Sequence, residues 1–226
     1  MKTGLVLMSF VSVCLTLVIG LNSATALRFD FNSADEISDW ELGPDATAEV
    51  KNGMLELTVA AGDSGIYFGE ESWTDYKLEV RARKVAGPYF HLFTRVQKPV
   101  QDFYFMEISY NSHTTSVFMF AGGAATEITG GDRPTRPDST DTAGGDAYTI
   151  AFEVKGNTLK TFIDGQLMVE TTSDTYKNGR PGLGGRTSTV LYDYVEITGP
   201  GIDPPPTSVD RAGKLAVTWG QLKNVR

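Results

Sequence analysis

Apolar and polar residues alternate in short runs along most of this chain, and the runs recur about every eight to twelve residues. Tyr76–Lys84 is the cleanest case. Tyr76, Leu78, Val80 and Ala82 fall on one side of an extended segment, and Lys77, Glu79, Arg81 and Arg83 on the other. That pattern predicts a strand with one face in a core and one in water. Arg28–Asn32, Met54–Val59, Tyr89–Gln97, Phe103–Tyr110 and Ser116–Ala121 read as strands on the same ground, the last three rich in aromatics. From Ala147 to Thr198 the chain reads as a meander, with three alternating runs separated by Gly156-Asn157 and Asp164-Gly165. These pairs, like Asn52-Gly53, are two-residue hairpin signals. Pro181-Gly182-Leu183-Gly184-Gly185 and Leu191–Thr198 complete the meander. No long stretch holds a helical period. The prediction is all-β: a two-sheet antiparallel sandwich of jelly-roll type.

Four segments fall outside the pattern. Residues 1–26 carry a basic head at Lys2, an apolar run from Leu5 to Leu21 and an Ala24-Thr25-Ala26 exit, the layout of a cleavable secretory signal peptide. The run is also long enough to anchor in a membrane, but the small exit residues and the strand pattern beginning at Leu27 favour cleavage, and hence no membrane insertion afterwards. The expected location is secreted, periplasmic or at the cell surface. Cys14, the one cysteine, lies inside this leader, so disulfides contribute nothing to the remaining chain. Gly122–Gly145, rich in Gly, Thr, Asp and Pro, reads as a long loop, either solvated or functional. Residues 200–207 form a Pro-rich linker, and 208–226 a basic tail around Leu215, Val217, Trp219 and Leu222. The tail is expected to dock on the sandwich or on another protein or surface, or to form an unstructured end. The sandwich itself occupies 27–199.

Of 20 Lys and Arg, only Lys2 falls in the leader, so the rest of the chain carries 28 acids against 19 bases. A scattered acidic balance argues against nucleic acid as a partner. Catalytic signals are sparse. His91 and His113 are the only histidines, and no Gly-x-Ser-x-Gly elbow, zinc spacing or phosphate-cradling loop is present.

The Asp-Gly-Gln hairpin, the short Gly-Leu-Gly-Gly strand and a last strand with a single Asp resemble the concanavalin A-like lectin/glucanase superfamily. Glycosidases of that superfamily place acid and nucleophile on one strand as Glu-x-Asp-x-x-Glu, and alternation brings the first two together. The comparable strand here, Phe103–Tyr110, holds only Glu107. The segments Phe90-His91-Leu92-Phe93-Thr94-Arg95 and Tyr104-Phe105-Met106-Glu107-Ile108 resemble the 3-keto-disaccharide hydrolase-type domains and their laminin-G-like relatives. That resemblance spans about Phe29–Thr198. It puts Arg95 and Glu107 on the family's arginine and glutamine positions and Phe105 where the family has a glutamate.

His91, Phe93 and Arg95 share one face by alternation, as do Phe105 and Glu107. If the two strands pair, the five residues line a shallow groove, with aromatic rings for sugar C–H faces and an Arg95–Glu107 charge couple for hydroxyls. The alternative is an aromatic core with a structural ion pair. Asp193 shares a face with Leu191, Val195 and Ile197, so it is expected to be buried and to need a partner or cation. The superfamily resemblance implies a structural Ca²⁺ held by Asp193 with Asp30 or Asn32; the alternative is an Asp accepting backbone N–H groups. The functional expectation is an extracytoplasmic carbohydrate-binding sandwich without obvious catalytic residues, its ligand a glycan or saccharide. Two alternatives stand beside it: a hydrolase acting on 3-keto or other modified glycosides, and a structural or adhesive surface domain.

Overall fold

The computed structural model describes residues 26–100, 102–129 and 146–202. The expected leader up to residue 25 with Cys14, most of the glycine-rich loop, and nearly all of the linker and tail lie outside the described residues. The chain opens with β1 (Ala26–Phe29), β2 (Glu41–Leu42), β3 (Ala46–Lys51), β4 (Met54–Val59) and β5 (Ser64–Tyr67). The long central strands follow: β6 (Tyr76–Ala86), β7 (Tyr89–Val96), β8 (Phe103–Ser109), β9 (Thr114–Ala121) and β10 (Ala124–Glu127). The meander supplies β11 (Tyr148–Lys155), β12 (Thr158–Ile163), β13 (Gln166–Thr172), β14 (Arg180–Arg186) and β15 (Ser188–Thr198). One 3-10 turn, Ala34–Ile37, is the only helical element among the described residues.

Two antiparallel sheets result. The first runs β13-β12-β11-β6-β15-β4-β3, with β1 pairing the far half of β15. The second runs β10-β9-β8-β7-β14-β5-β2. The expected hairpins form: Asn52 and Gly53 take φ of 54° and 72°, and Asp164 and Gly165 48° and 77°, the left-handed pairs that match strand twist. Gly122 and Gly123 form another, at 58° and 86°, so the segment expected as a loop begins as the β9–β10 hairpin.

On β6, Tyr76, Leu78, Val80 and Ala82 face the space between the sheets at 2% exposure or less, as the alternation predicts. They pack with Leu55, Leu57, Phe152, Tyr192, Val195 and Ile197 from the same sheet and Phe90, Leu92, Tyr104, Met106 and Ile108 from the other. Each such aliphatic or aromatic side chain contributes about 1.5–3 kcal/mol of burial. The second sheet differs, because its central strands are buried on both faces. Residues 91, 93, 103 and 105 point away from the inter-sheet core, and Tyr67, Phe93, Val96, Phe103 and Phe105 form a second apolar cluster there. The glycines of β14 make room for it. A Cβ on Gly184 would lie 2.5 Å from a Phe93 ring carbon, and one on Gly182 2.5 Å from a Tyr67 ring carbon.

Candidate functional site

On its outer face, the second sheet is aromatic in the middle and charged at one end. The rings run across the strands, from Tyr67 to Phe93 (centroids 5.4 Å) and Phe93 to Phe103 (5.0 Å), with Phe103 stacked on Phe120 and Phe105 on Phe118. Phe93 and Phe105 are 0% exposed. The shallow groove expected over these two rings is therefore a packed second core, edged by the partly exposed Val100, Phe118 and Phe120.

His91 extends this row, its ring 4.8 Å from that of Phe105. It faces Glu107 across the β7–β8 pair. His91 Nε2 lies 3.1 Å from Glu107 Oε2, the geometry of an N–H donated to a carboxylate. Its Nδ1 has no hydrogen-bond partner and lies 3.8 Å from Asp63 Oδ1. Above this buried imidazole sits Arg186, whose Nε donates to Asp63 at 2.9 Å and whose Nη2 donates to Glu107 at 3.3 Å. The guanidinium also covers the Tyr89 ring at 4.8 Å. Exposure rises in layers: His91 0%, Glu107 11%, Asp63 14%, Arg186 40% for the side chains. The polar edge of the cluster thus faces solvent over a fixed base. A single residue of turn, Thr187 at φ 49°, carries the chain from β14 into the other sheet directly after Arg186.

The ligand atoms of Asp63, His91 and Glu107 lie within 4.8 Å of one another, the one such trio among the described residues. One imidazole and two carboxylates make a donor set for a divalent cation. Arg186 already supplies positive charge to both carboxylates.

Four of the five expected site residues, His91, Phe93, Phe105 and Glu107, lie together. Arg95 does not join them. The β7–β14 ladder is irregular opposite Arg180 and Gly182, and Arg95 takes φ 51°, which turns its side chain away from Glu107. Its guanidinium donates to the carbonyls of Thr74 (3.0 and 3.2 Å), Tyr176 (2.9 Å) and Gly156 (2.7 Å), 3.6 Å from Asp75. Tyr76 pins the bulge, its hydroxyl accepting from the Arg95 N–H (2.7 Å) and donating to Gly179 O (3.2 Å). Burial, the dominant cause, pulls the Arg95 pKa below its ordinary value. The expected Arg95–Glu107 couple is replaced by two separate arginine sites.

Asp193 also departs from expectation. A bulge between Tyr192 and Tyr194 resets the alternation, so Val190, Tyr192, Val195 and Ile197 face the core while Asp193 faces out. Its side chain is 42% exposed and pairs with Arg81 at 3.3 Å. Asp30 pairs with Arg28 at 2.9 Å. The N–H groups of Asp30, Phe31, Asn32 and Ser33 converge on the Glu36 carboxylate at 2.6–3.3 Å, which fixes the backbone of this segment. Asp63 and Arg186 were absent from the sequence-based site. The one signal for Arg186 was the spacing Arg180-x-Gly182-x-Gly184-x-Arg186, which puts an arginine at each end of one strand face, and Asp63 had none.

Residues 28–198 match the 3-keto-alpha-glucoside-1,2-lyase-like domain family. An extracellular exo-alpha-L-arabinofuranosidase of Streptomyces chartreusis is 29% identical over 152 residues, a match covering 66% of this chain and only 17% of that protein. A solved carbohydrate-binding module from Bacillus subtilis superposes with a TM-score of 0.61 at 20% identity, over 71% of this chain and 95% of the module. A Bacillus subtilis protein of unknown function with a galectin-like fold gives 0.59 at 12% identity, over 77% of this chain and 96% of that one. The chain belongs to the 3-keto-alpha-glucoside-1,2-lyase-like domain family, on a concanavalin A-like jelly-roll sandwich.

Proposed function

We propose that this chain is an extracytoplasmic glycan-recognition domain that holds a sugar at the charged end of its second sheet. The observation that carries the reading is the Arg186 clamp: a half-exposed guanidinium held over Tyr89 by the carboxylates of Asp63 and Glu107, of which Glu107 is itself held by the fully buried His91. Carboxylate oxygens accept sugar hydroxyl protons, the guanidinium donates to ring and hydroxyl oxygens, and an aromatic edge suits C–H surfaces. Support comes from the arabinofuranosidase relative, matched over only a module-sized part, and from the resemblance in fold to a carbohydrate-binding module. The extracellular description of that relative fits the leader expected at residues 1–26.

Family membership favours a second reading, elimination across C1 and C2 of a 3-keto-α-glucoside. The C3 ketone would acidify the C2 proton. A base would remove that proton while the C1–O bond breaks and the departing oxygen takes up a proton. Asp63, His91 and Glu107 offer such groups, but Phe105 stands where the resembling family carries a glutamate. A glycan array with the intact chain tests the first reading. Retention that Arg186→Ala and Glu107→Gln abolish supports it, and retention unaffected by either change overturns it. Release of the aglycone from a 3-keto-α-glucoside would move the conclusion to the lyase.

A further inference from the structure

Two cavities lie beside the point where the chain leaves the described residues, after Ile202. Ile202 is fully buried in the inter-sheet core and Gly201 before it turns at φ 74°, so this exit is fixed in place. One cavity, of about 320 Å³, is bounded by Thr198, Gly199 and Pro200 and carries Lys77 and Lys155 beside Asp75 and Glu153. The other, of about 570 Å³, is bounded by Gly201 and walled by Leu27, Phe29, Trp40 and Trp73. Its charged lining residues, Glu36, Asp39 and Glu70, are all acids.

The four apolar walls pack on the core and stay partly exposed. Trp40 stacks on Phe68 at 4.0 Å and meets Phe29 edge-on at 4.9 Å. An open groove with two indoles and a phenyl ring is a surface that proteins normally cover. The chain continues from Ile202 into residues 203–226. Pro204–Pro206 supply an extended spacer of about 3.1 Å per residue, and the groove begins at the exit itself. Beyond the spacer, Leu215, Val217 and Trp219 alternate with Ala216 and Thr218, the pattern of a segment with one apolar face. Arg211, Lys214, Lys223 and Arg226 stand against Asp210 alone. This segment complements the acidic, apolar groove in both respects, whereas the cavity at Pro200 already carries two lysines.

We infer that residues 208–226 of the same chain occupy this groove, with Leu215, Val217 and Trp219 against Phe29, Trp40 and Trp73 and the basic residues at the Asp39 and Glu70 rim. Tethering through the short spacer favours this occupant over a free partner, because it holds the segment at an effective concentration on the order of millimolar. The inference is independent of the glycan reading, since none of Asp63, Tyr89, His91, Glu107 and Arg186 lines the groove.

Trp40, Trp73 and Trp219 are the only tryptophans in the sequence, so nuclear Overhauser contacts among the indoles of the isotope-labelled intact chain test the docking directly. The Trp219 ring should contact Trp40 or Trp73 within one molecule. Trp219→Ala weakens the tail's hold, so a fluorescent peptide of residues 208–226 should bind that variant about tenfold or more tightly than it binds wild type, whose groove is filled. Adding Asp39→Lys and Glu70→Lys to Trp219→Ala should weaken the peptide again by about tenfold. Both acids are exposed, so these changes leave the core intact. Trp219 without contact to Trp40 or Trp73, or equal peptide binding by wild type and Trp219→Ala, overturns the inference. Contacts found only between differently labelled copies would give the groove to a second molecule, and contacts to residues 5–21 would give it to the leader; either result overturns it as well.

Discussion

Arg95 and Arg186 sit on neighbouring strands of one sheet and do opposite work. Arg95 is 1% exposed and spends its donors on three backbone carbonyls from three different loops. Arg186 is 40% exposed and spends its donors on two side-chain carboxylates. An arginine that holds carbonyls fixes the chain, whereas one that holds acids at an open edge leaves part of its guanidinium in solvent. The sequence pattern alone points to Arg95 and not to Arg186, because Arg95 closes an apolar strand beside His91 and Phe93.

The largest effect should come from Arg95. Arg95→Ala strands the carbonyls of Thr74, Tyr176 and Gly156 without donors, and a loss of about 3–5 kcal/mol in urea unfolding is expected. Because Arg95 and Glu107 lie apart, the loss should add to that of Glu107→Gln within about 0.5 kcal/mol in a double-mutant cycle. A coupling of several times that size would restore the pairing that the bulge rules out.

Gly184→Val should follow. The new side chain meets a Phe93 ring carbon at 2.5 Å and the Ser64 carbonyl oxygen at 2.2 Å, so about 1–3 kcal/mol of overpacking is expected. The Arg95 staple would stay intact while the outer face shifts, and glycan retention should fall with it. A variant as stable as wild type would mean that the outer cluster has slack, contrary to its buried rings.

How much of this was legible from the sequence follows from where the alternation holds. β4, β6, β7 and β8 alternate between apolar core residues and outer residues, and their bounds differ from the sequence reading by at most two residues at either end. β5 was not legible because it is only four residues long and opens on Ser64 and Gly65, which leaves just two apolar positions, and β10 because all four of its residues are exposed. Neither has a polar face to alternate with an apolar one. The bulges at Arg95 and Asp193 reset the period of two, which no local pattern announces. Asp63 and Arg186 meet from 123 positions apart, a contact set by sheet topology rather than by neighbouring residues.

Alkaline pH separates the two arginine regions further. Burial pushes the Tyr76 phenol up from its ordinary pKa. The folded state therefore favours the neutral hydroxyl, and the unfolded chain ionises first, near pH 10. The contribution of Tyr76 is complete below that pH and is lost as pH rises above it. Tyr76→Phe should lose about 1–3 kcal/mol at neutral pH from its two hydrogen bonds and then decline less steeply than wild type above about pH 10. Parallel declines would show that the bulge does not depend on this hydroxyl.

Arg186→Ala sharpens the contrast from the other side. With the guanidinium 40% exposed and Glu107 still held by His91, a stability loss of about 1 kcal/mol or less is expected, together with loss of glycan retention. A thermal melt and the array on the same preparation decide it. A loss as large as that of Arg95→Ala, with retention intact, would make both arginines scaffolding.

The smallest effect belongs to Asp193, which the alternation alone would place in the core. Its ion pair with Arg81 joins side chains 42% and 46% exposed, and such pairs are worth about 0–1 kcal/mol because water screens them. Asp193→Ala should therefore melt close to wild type, and a chelator should move neither protein. The bulge at Tyr192–Tyr194 is the physical reason: the core residues on either side of it, Tyr192 and Val195, are both 0% exposed without any help from the Asp193 carboxylate. A loss above about 2 kcal/mol, or a melting temperature that falls in chelator for wild type but not for Asp193→Ala, would return Asp193 to a buried or cation-holding role.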